Sequence, residues 1–394
     1  MERIPAADYV FSATLPGVAQ YDSLSASALG RGIDKYIAKD YNGAVREFRR
    51  SIALSPYSDN AFKAFEYLVN TLSKSGKASE AIKTCRQAIK IFPSADGMNL
   101  GLGNLLYSKG CFTEAVEQYK AAVRKNPTAS QNVYSLGQGY LAQNRYTDAE
   151  AQFKRVIQLS PKDSGGYYAL GQTYRKMGRL TEARVQLERA LAIKQDFTEA
   201  HFELGMVYAE QRQTDKANSK LAILNKKQST ENYIELAAKI YETSRPRILA
   251  VHATDLYLAS PPGTKASSLD PSLATPGAVK NYTVSFVFNK RMDASSVGKM
   301  ANWSIGRSTE TRTGGLYNWG NITETDVKVS STPLSVAYDP GSLTAKVTFS
   351  ITQNAAGDGT IDLSHLVFKF KGADMYGNVM DTAADEYSGI SKIV

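Results

Sequence analysis

Cysteine is nearly absent from this chain: among 394 residues only Cys85 and Cys111 occur, and neither stands in a CxxC pair or beside a histidine. That excludes a disulfide framework and a cysteine-built zinc site. Histidine is as scarce, and His201, His252 and His365 show no H-x-x-x-H spacing, so they form no readable metal or triad cluster. No stretch of about 18 apolar residues occurs, which removes a membrane-spanning helix from the expectations. The opening MERIPAADYVFSATLPG lacks a charged segment leading into a continuous apolar core. No Sec signal is read there, and a cytoplasmic chain is expected as written, with another export route left open. There is no Walker loop, no GxSxG and no kinase motif set. Gly101-Leu-Gly103 opens a dinucleotide fingerprint but lacks its third glycine and precedes no strand-to-helix turn. Neither enzymatic activity nor a cofactor is expected.

What is present is an ordinary globular composition, 43% hydrophobic and 22% charged, at a length that suggests two or three domains. The net charge of +9 is uneven: residues 1 to 250 hold 35 Lys+Arg against 25 Asp+Glu, and the remainder 12 against 13. A basic first part can favour an acidic partner, a nucleic acid or an anionic surface, although the charges are spread through the sequence without a dense block.

The first part is periodic. Leu102, Leu136, Leu170 and Leu204 recur every 34 residues, each followed by a glycine, Gly103, Gly137, Gly171 and Gly205. Tyr140, Tyr174 and Tyr208 follow three of those glycines. A second set of columns runs through Ala115, Ala149, Ala183 and Ala217, and then Tyr119, Phe153, Leu187 and Leu221. Prolines close the units at Pro56, Pro93, Pro127 and Pro161. Residues three and four apart share one helical face, and a glycine on that face lets a second helix approach closely. Gly110 and Gly178 fall where the first helix of a unit must end, and the prolines stop the second.

The pattern Leu136-Gly137, Tyr140, Ala149, Phe153, Pro161 resembles the tetratricopeptide repeat. Six units are read over 25–228, preceded by an extension, 1–24, and followed by a capping helix and linker, 229–245. The first two units are irregular: unit one keeps Gly32, Ala44 and Phe48, whereas unit two puts Val69 in the glycine column and Cys85 in the aromatic column.

The resemblance implies a groove along the first helices, binding a peptide or a partner's segment. Two columns are expected to face it: Leu100, Tyr134, Tyr168 and Phe202, and Asn70, Asn104, Gln138 and Gln172. Side-chain amides can pair with both the N–H and the C=O of an extended backbone, and rings beside them supply apolar anchoring. Tyr and Asn are also common repeat residues in those columns, so packing alone explains them equally well. Arg175, with Lys176 and Arg179, can engage an acidic tail or simply complement a helix C-terminus. The carboxylate clamp of chaperone-type arrays is disfavoured, because Glu66, Gly101 and Ser135 stand where Lys and Asn are wanted.

After Ser244-Arg245-Pro246 the period of 34 gives way to alternation. Strand-like runs are Arg247–His252, Tyr282–Phe288, Trp303–Ile305, Val327–Val329, Leu334–Tyr338, Thr344–Ile351 and His365–Phe370. Met292-Asp293, Asn302-Trp303-Ser304 and Asp374-Met-Tyr-Gly377-Asn378 give roughly 246–381 a resemblance to bacterial immunoglobulin-like domains of the surface-layer type, and the domain with its C-terminal tail is read as 246–394. Together the two resemblances imply a multidomain α plus β chain: a right-handed α-solenoid, then an all-β immunoglobulin-like sandwich. Asp374, Asn378, Asp381, Asp385 and Glu386 can be read either as calcium ligands or as turn formers. The apolar tail ending at Val394 can be an edge strand or a docking peptide.

These readings converge on a protein-protein interaction adaptor or assembly factor with an unidentified protein or peptide partner. The alternatives are a structural component of a cell-surface or appendage assembly and, more weakly, nucleic-acid binding by the basic array.

Overall fold

The computed structural model describes residues 16–253, 255–256, 260–309, 316–320 and 323–388. Thirteen α-helices of thirteen residues or more lie among them: α1 (Pro16–Ile37), α2 (Tyr41–Leu54), α3 (Asp59–Lys74), α4 (Ala78–Ile91), α5 (Asp96–Ser108), α6 (Phe112–Lys125), α7 (Ser130–Ala142), α8 (Tyr146–Leu159), α9 (Ser164–Lys176), α10 (Leu180–Ile193), α11 (Thr198–Glu210), α12 (Thr214–Lys226) and α13 (Thr230–Thr243). Helix α1 begins at Pro16, so residues 16–24 are not a separate extension but the first turns of the opening helix. Proline suits that place because its missing N–H is one a helix start leaves unpaired anyway. Residues 1–15 lie outside the described residues.

The glycine columns act as the spacing predicts. A Cβ built on Gly32, Gly103 or Gly137 would meet the ring of Phe48, Tyr119 or Phe153 at 2.5, 2.5 and 2.6 Å, and one on Gly171 would meet Leu187 at 2.7 Å. Each large residue therefore lies over a bare backbone, and Phe48, Tyr119, Phe153 and Leu187 are all buried. In unit two the sizes are exchanged: the column partner of Val69 is the small, fully buried Cys85. Burial alone pushes the Cys85 thiol up to about 12, because a thiolate there would lose its hydration. The turns that end the first helices are left-handed at Gly76, Gly110, Asn144, Gly178 and Arg212, again 34 residues apart.

Two compact units emerge. One ends at Val207 and includes Ala222–Asn232; the other comprises Tyr208–Leu221 and Tyr233 onward. The second therefore starts before the composition change at residue 245, since it contains the C-terminal part of α13. There the ammonium of Lys290 donates to the carbonyls of Tyr241 and, at 2.9 Å, Ser244, and the Asn378 amide donates to the Glu242 carbonyl at 2.6 Å. These side chains satisfy backbone acceptors that a helix end leaves open.

The β-rich region contains β1 (Ile248–Ala253), β2 (Thr264–Lys265), β3 (Val279–Phe288), β4 (Trp303–Arg307), β5 (Lys328–Val329), β6 (Ser335–Asp339), β7 (Thr344–Thr352), β8 (Thr360–Ile361), β9 (Leu366–Phe370) and β10 (Glu386–Ser388). One antiparallel sheet runs β1-β3-β7-β5 with β6 also on β7, a second runs β10-β9-β4, and β2 pairs with β8. Alternation sends Tyr282, Val284, Phe286 and Phe288 of β3 inward, as expected of a half-buried strand. They meet the second sheet ring to ring: Phe286 lies 5.1 Å from Trp303, Phe288 lies 5.5 Å from Phe370, and Phe349 of β7 lies 5.2 Å from Phe368. The stretch between β1 and β3 is not loop alone. It holds β2, a short helix Ala266–Leu269 and a 3-10 turn Pro271–Ala274. The tail supplies an edge strand at Glu386–Ser388, paired with β9; the final six residues lie outside the described ones.

Candidate functional site

The candidate surface lies on the first helices of successive hairpins, within the first compact unit. Asn70 sits on α3, Leu100 and Asn104 on α5, Tyr134 and Gln138 on α7, Tyr168, Gln172 and Arg175 on α9, and Phe202 on α11. Leu100, Tyr134, Tyr168 and Phe202 are each half-buried, although the leucines two positions further on, Leu102, Leu136, Leu170 and Leu204, are buried. The 34-residue register thus leaves one partly uncovered apolar residue per hairpin. Tyr134 packs against Phe153 at 5.6 Å and Tyr168 against Phe197 at 4.8 Å. Burial raises both phenols above the ordinary tyrosine range, with Glu203 adding to the effect on Tyr168, so both stay neutral hydrogen-bonding groups at physiological pH.

The amide column is already in use. Asn104 Oδ1 accepts from the Tyr119 hydroxyl at 2.9 Å, Gln138 Nε2 donates to the Tyr134 oxygen at 3.1 Å, and Gln172 Nε2 donates to Glu203 Oε1 at 2.9 Å. Asn70 is exposed. Each engaged amide keeps its other end, so the column offers single contacts rather than the two-ended ladder the spacing suggests. Arg175 also has a partner: its Nε lies 2.6 Å from Glu203 Oε2, with both side chains largely covered. An acidic tail at Arg175 would have to compete with a carboxylate the fold already supplies.

Glu203 escaped the sequence reading. Its signal was present, since Gly101, Ser135, Ala169 and Glu203 form one 34-residue column in which a buried carboxylate replaces small residues. A cleft of about 680 Å³ lined by Ile52, Phe65, Leu68 and Thr84 with Arg49 and Lys83 also went unread. It lies in the irregular first two units, where the column arguments are weakest.

The carboxylates considered as calcium ligands are matched by cations of the chain itself. Asp374 Oδ2 lies 2.6 Å from the Lys290 ammonium, Arg247 pairs with Asp381 at 3.5 Å, and Lys369 reaches Asp385 at 3.3 Å and Glu386 at 3.0 Å. Among the described residues no group of three His, Cys, Asp or Glu is placed to hold a metal ion. The turn-forming reading of Asp374 and Asn378 is the one the geometry supports, because Asp374 Oδ1 accepts from the backbone N–H of Tyr376 and Asn378. His365 is held by Asp362 at 2.6 Å inside the β region, and no described helix is long and apolar enough to cross a membrane.

Family models of the tetratricopeptide repeat match residues 68–130, 100–164 and 140–201. The helical part of the chain is accordingly a tetratricopeptide-repeat solenoid. No curated protein sequence matches the chain. A tetratricopeptide repeat protein from Parabacteroides merdae superposes with a TM-score of 0.50 at 15% identity, over 55% of this chain and 86% of that one. Pseudomonas aeruginosa pilF gives 0.47 at 16% identity, over 56% of this chain and 99% of its own. YrrB, described as a TPR protein with an unusual peptide-binding site, gives 0.40 at 19% identity, over 48% and 97%. At 15% identity the likeness to the Parabacteroides merdae protein is one of fold.

Proposed function

We propose that this chain is a non-enzymatic interaction adaptor whose helical array takes up a peptide or helical segment of a partner protein along Leu100, Tyr134, Tyr168 and Phe202. The carrying observation is the repeated half-exposure of those four residues beside buried leucines in the same helices. Partly covered aromatic and aliphatic side chains in a regular row suit apolar anchors of a docked segment. Asn70, Asn104, Gln138 and Gln172 then serve as single polar contacts flanking the row, and Arg175 acts through its pair with Glu203. The β-rich region, read as an immunoglobulin-like domain, is a second contact or spacer. Its likeness to surface-layer domains keeps a structural role in a cell-surface or appendage assembly as the second reading.

The test is site-specific photo-crosslinking in the native host, with a photoreactive phenylalanine analogue at Asn104 or Gln138, and at the exposed Lys90 on a second helix as control. Adducts of one partner formed from Asn104 and Gln138 but not Lys90 support the row. Adducts from Lys90 alone remove it.

A further inference from the structure

A cleft of about 910 Å³ lies wholly inside the C-terminal compact unit, unrelated to the row on the first helices. Its walls come from the turn before α12, the first turn of α12, the end of α13 and the following linker. Arg212, Lys216, Arg245 and Arg247 line it against only Asp215 and Asp381, so four cations face two carboxylates. Arg247 is partly neutralised by Asp381 at 3.5 Å, and Lys216 rests over the Tyr208 ring at 5.5 Å. Arg212 and Arg245 are exposed and, among the described residues, have no ion-pair partner.

The end of α13 should oppose an anion here, because open carbonyls give a helix C-terminus a partial negative charge. The Tyr241 and Ser244 carbonyls, however, already accept hydrogen bonds from the Lys290 ammonium, so they are not open acceptors. A concave surface with excess guanidinium groups selects oxyanions, and the planar forks of arginine match carboxylates two bonds at a time. No aromatic ring lines the cleft, which leaves nucleobases nothing to stack on. Asp215 and Asp381 can accept N–H groups of a peptide backbone, as the Asn218 amide also can. Its volume lies within the range of ligand-holding clefts.

We infer that this cleft is a docking site for an acidic, glutamate- or aspartate-rich peptide segment of a partner protein. The inference does not depend on the aromatic row, so either can fail alone.

The test measures binding of fluorescein-labelled hexaglutamate to the full chain by anisotropy at low and at physiological salt. The variant is Arg212→Glu with Arg245→Glu. The control is Lys162→Glu with Lys226→Glu, two exposed lysines that line neither cleft; it changes the net charge by the same four units, two per substitution. The expected result is at least a tenfold loss of affinity in the cleft variant and less than threefold in the control, with hexaglutamine not bound. Equal losses in both variants reduce the effect to net charge and overturn the proposal. So does the absence of hexaglutamate binding by the unmodified chain, or tighter binding of labelled oligothymidylate that the cleft variant abolishes.

Discussion

The ammonium of Lys290 lies 2.6 Å from the carboxylate of Asp374, and neither side chain is exposed to solvent. The same ammonium sits 4.9 Å from the Tyr241 ring and 5.3 Å from the Tyr376 ring, so it is closed in by two aromatic faces, a carboxylate and the end of α13. Removing one member of such a pair strands a buried charge, which typically costs about 3–5 kcal/mol. Lys290→Met is expected to lower the stability of the C-terminal unit by that amount. Lys290→Met with Asp374→Asn should cost less than the two single changes summed. Both tryptophans of the chain, Trp303 and Trp319, lie in the β-rich region, so their fluorescence in urea reports this unit. Strict additivity would show that the pair is not coupled.

The pH dependence follows from Asp374. Burial raises its carboxyl, but hydrogen bonds from Asn378 and Lys290 outweigh that, and the group titrates below the ordinary aspartate value. A depressed carboxyl contributes stability that is present above its unfolded pKa of about 3.9 and lost as pH falls through the lower folded value. The tryptophan-detected urea midpoint should therefore not vary with pH through Asp374 near pH 6, where the carboxylate is fully ionised, and should fall below about pH 4. That acid-side fall should be shallower in Asp374→Asn. A steeper one would contradict the assignment.

The exchanged sizes in unit two make Cys85 inert. Its thiol is buried and pushed up to about 12, whereas Cys111 is exposed. Because the thiolate is the nucleophile, iodoacetamide at pH 8 should modify Cys111 and leave Cys85 intact until the array unfolds. Peptide mass spectrometry over a time course reads this directly, and comparable rates at the two sites would show that the second unit is open.

Gly137→Ala places a Cβ at 2.6 Å from the Phe153 ring, and overpacking of this kind typically costs about 1–3 kcal/mol. Phe153→Cys should destabilise by the opposite defect, a cavity. The pair of substitutions is expected to cost less than the sum of the two. Thermal unfolding followed by far-ultraviolet circular dichroism decides, and a double variant worse than the sum would refute the size exchange.

Much of the helical half was readable because its determinants are local and repeat. A glycine and the ring above it lie within one hairpin, so a 34-residue period exposes both. The inward alternation of Tyr282, Val284, Phe286 and Phe288 was readable for the same reason. Interactions joining distant segments were not. Lys290 contacts carbonyls 46 and 49 positions earlier, and its sequence neighbourhood, Phe-Asn-Lys-Arg-Met, carries no period that marks it as buried. The amide column was found as a column, but its hydrogen-bonding state depends on Tyr119 and Glu203, which approach from other helices. The cationic cleft combines a repeat turn with the linker, and neither segment announces the other.

The glycine-under-ring arrangement also bears on how such an array can change length. Its complementary halves belong to the same hairpin, so a duplication or deletion that copies a whole 34-residue unit carries lock and key together. A crossover inside a hairpin would set Val69 beneath a phenylalanine, or Gly137 beneath a cysteine, producing a collision or a void. The selectable module of this protein is the helix pair, and recombination junctions that survive should fall in the prolines and short turns between pairs.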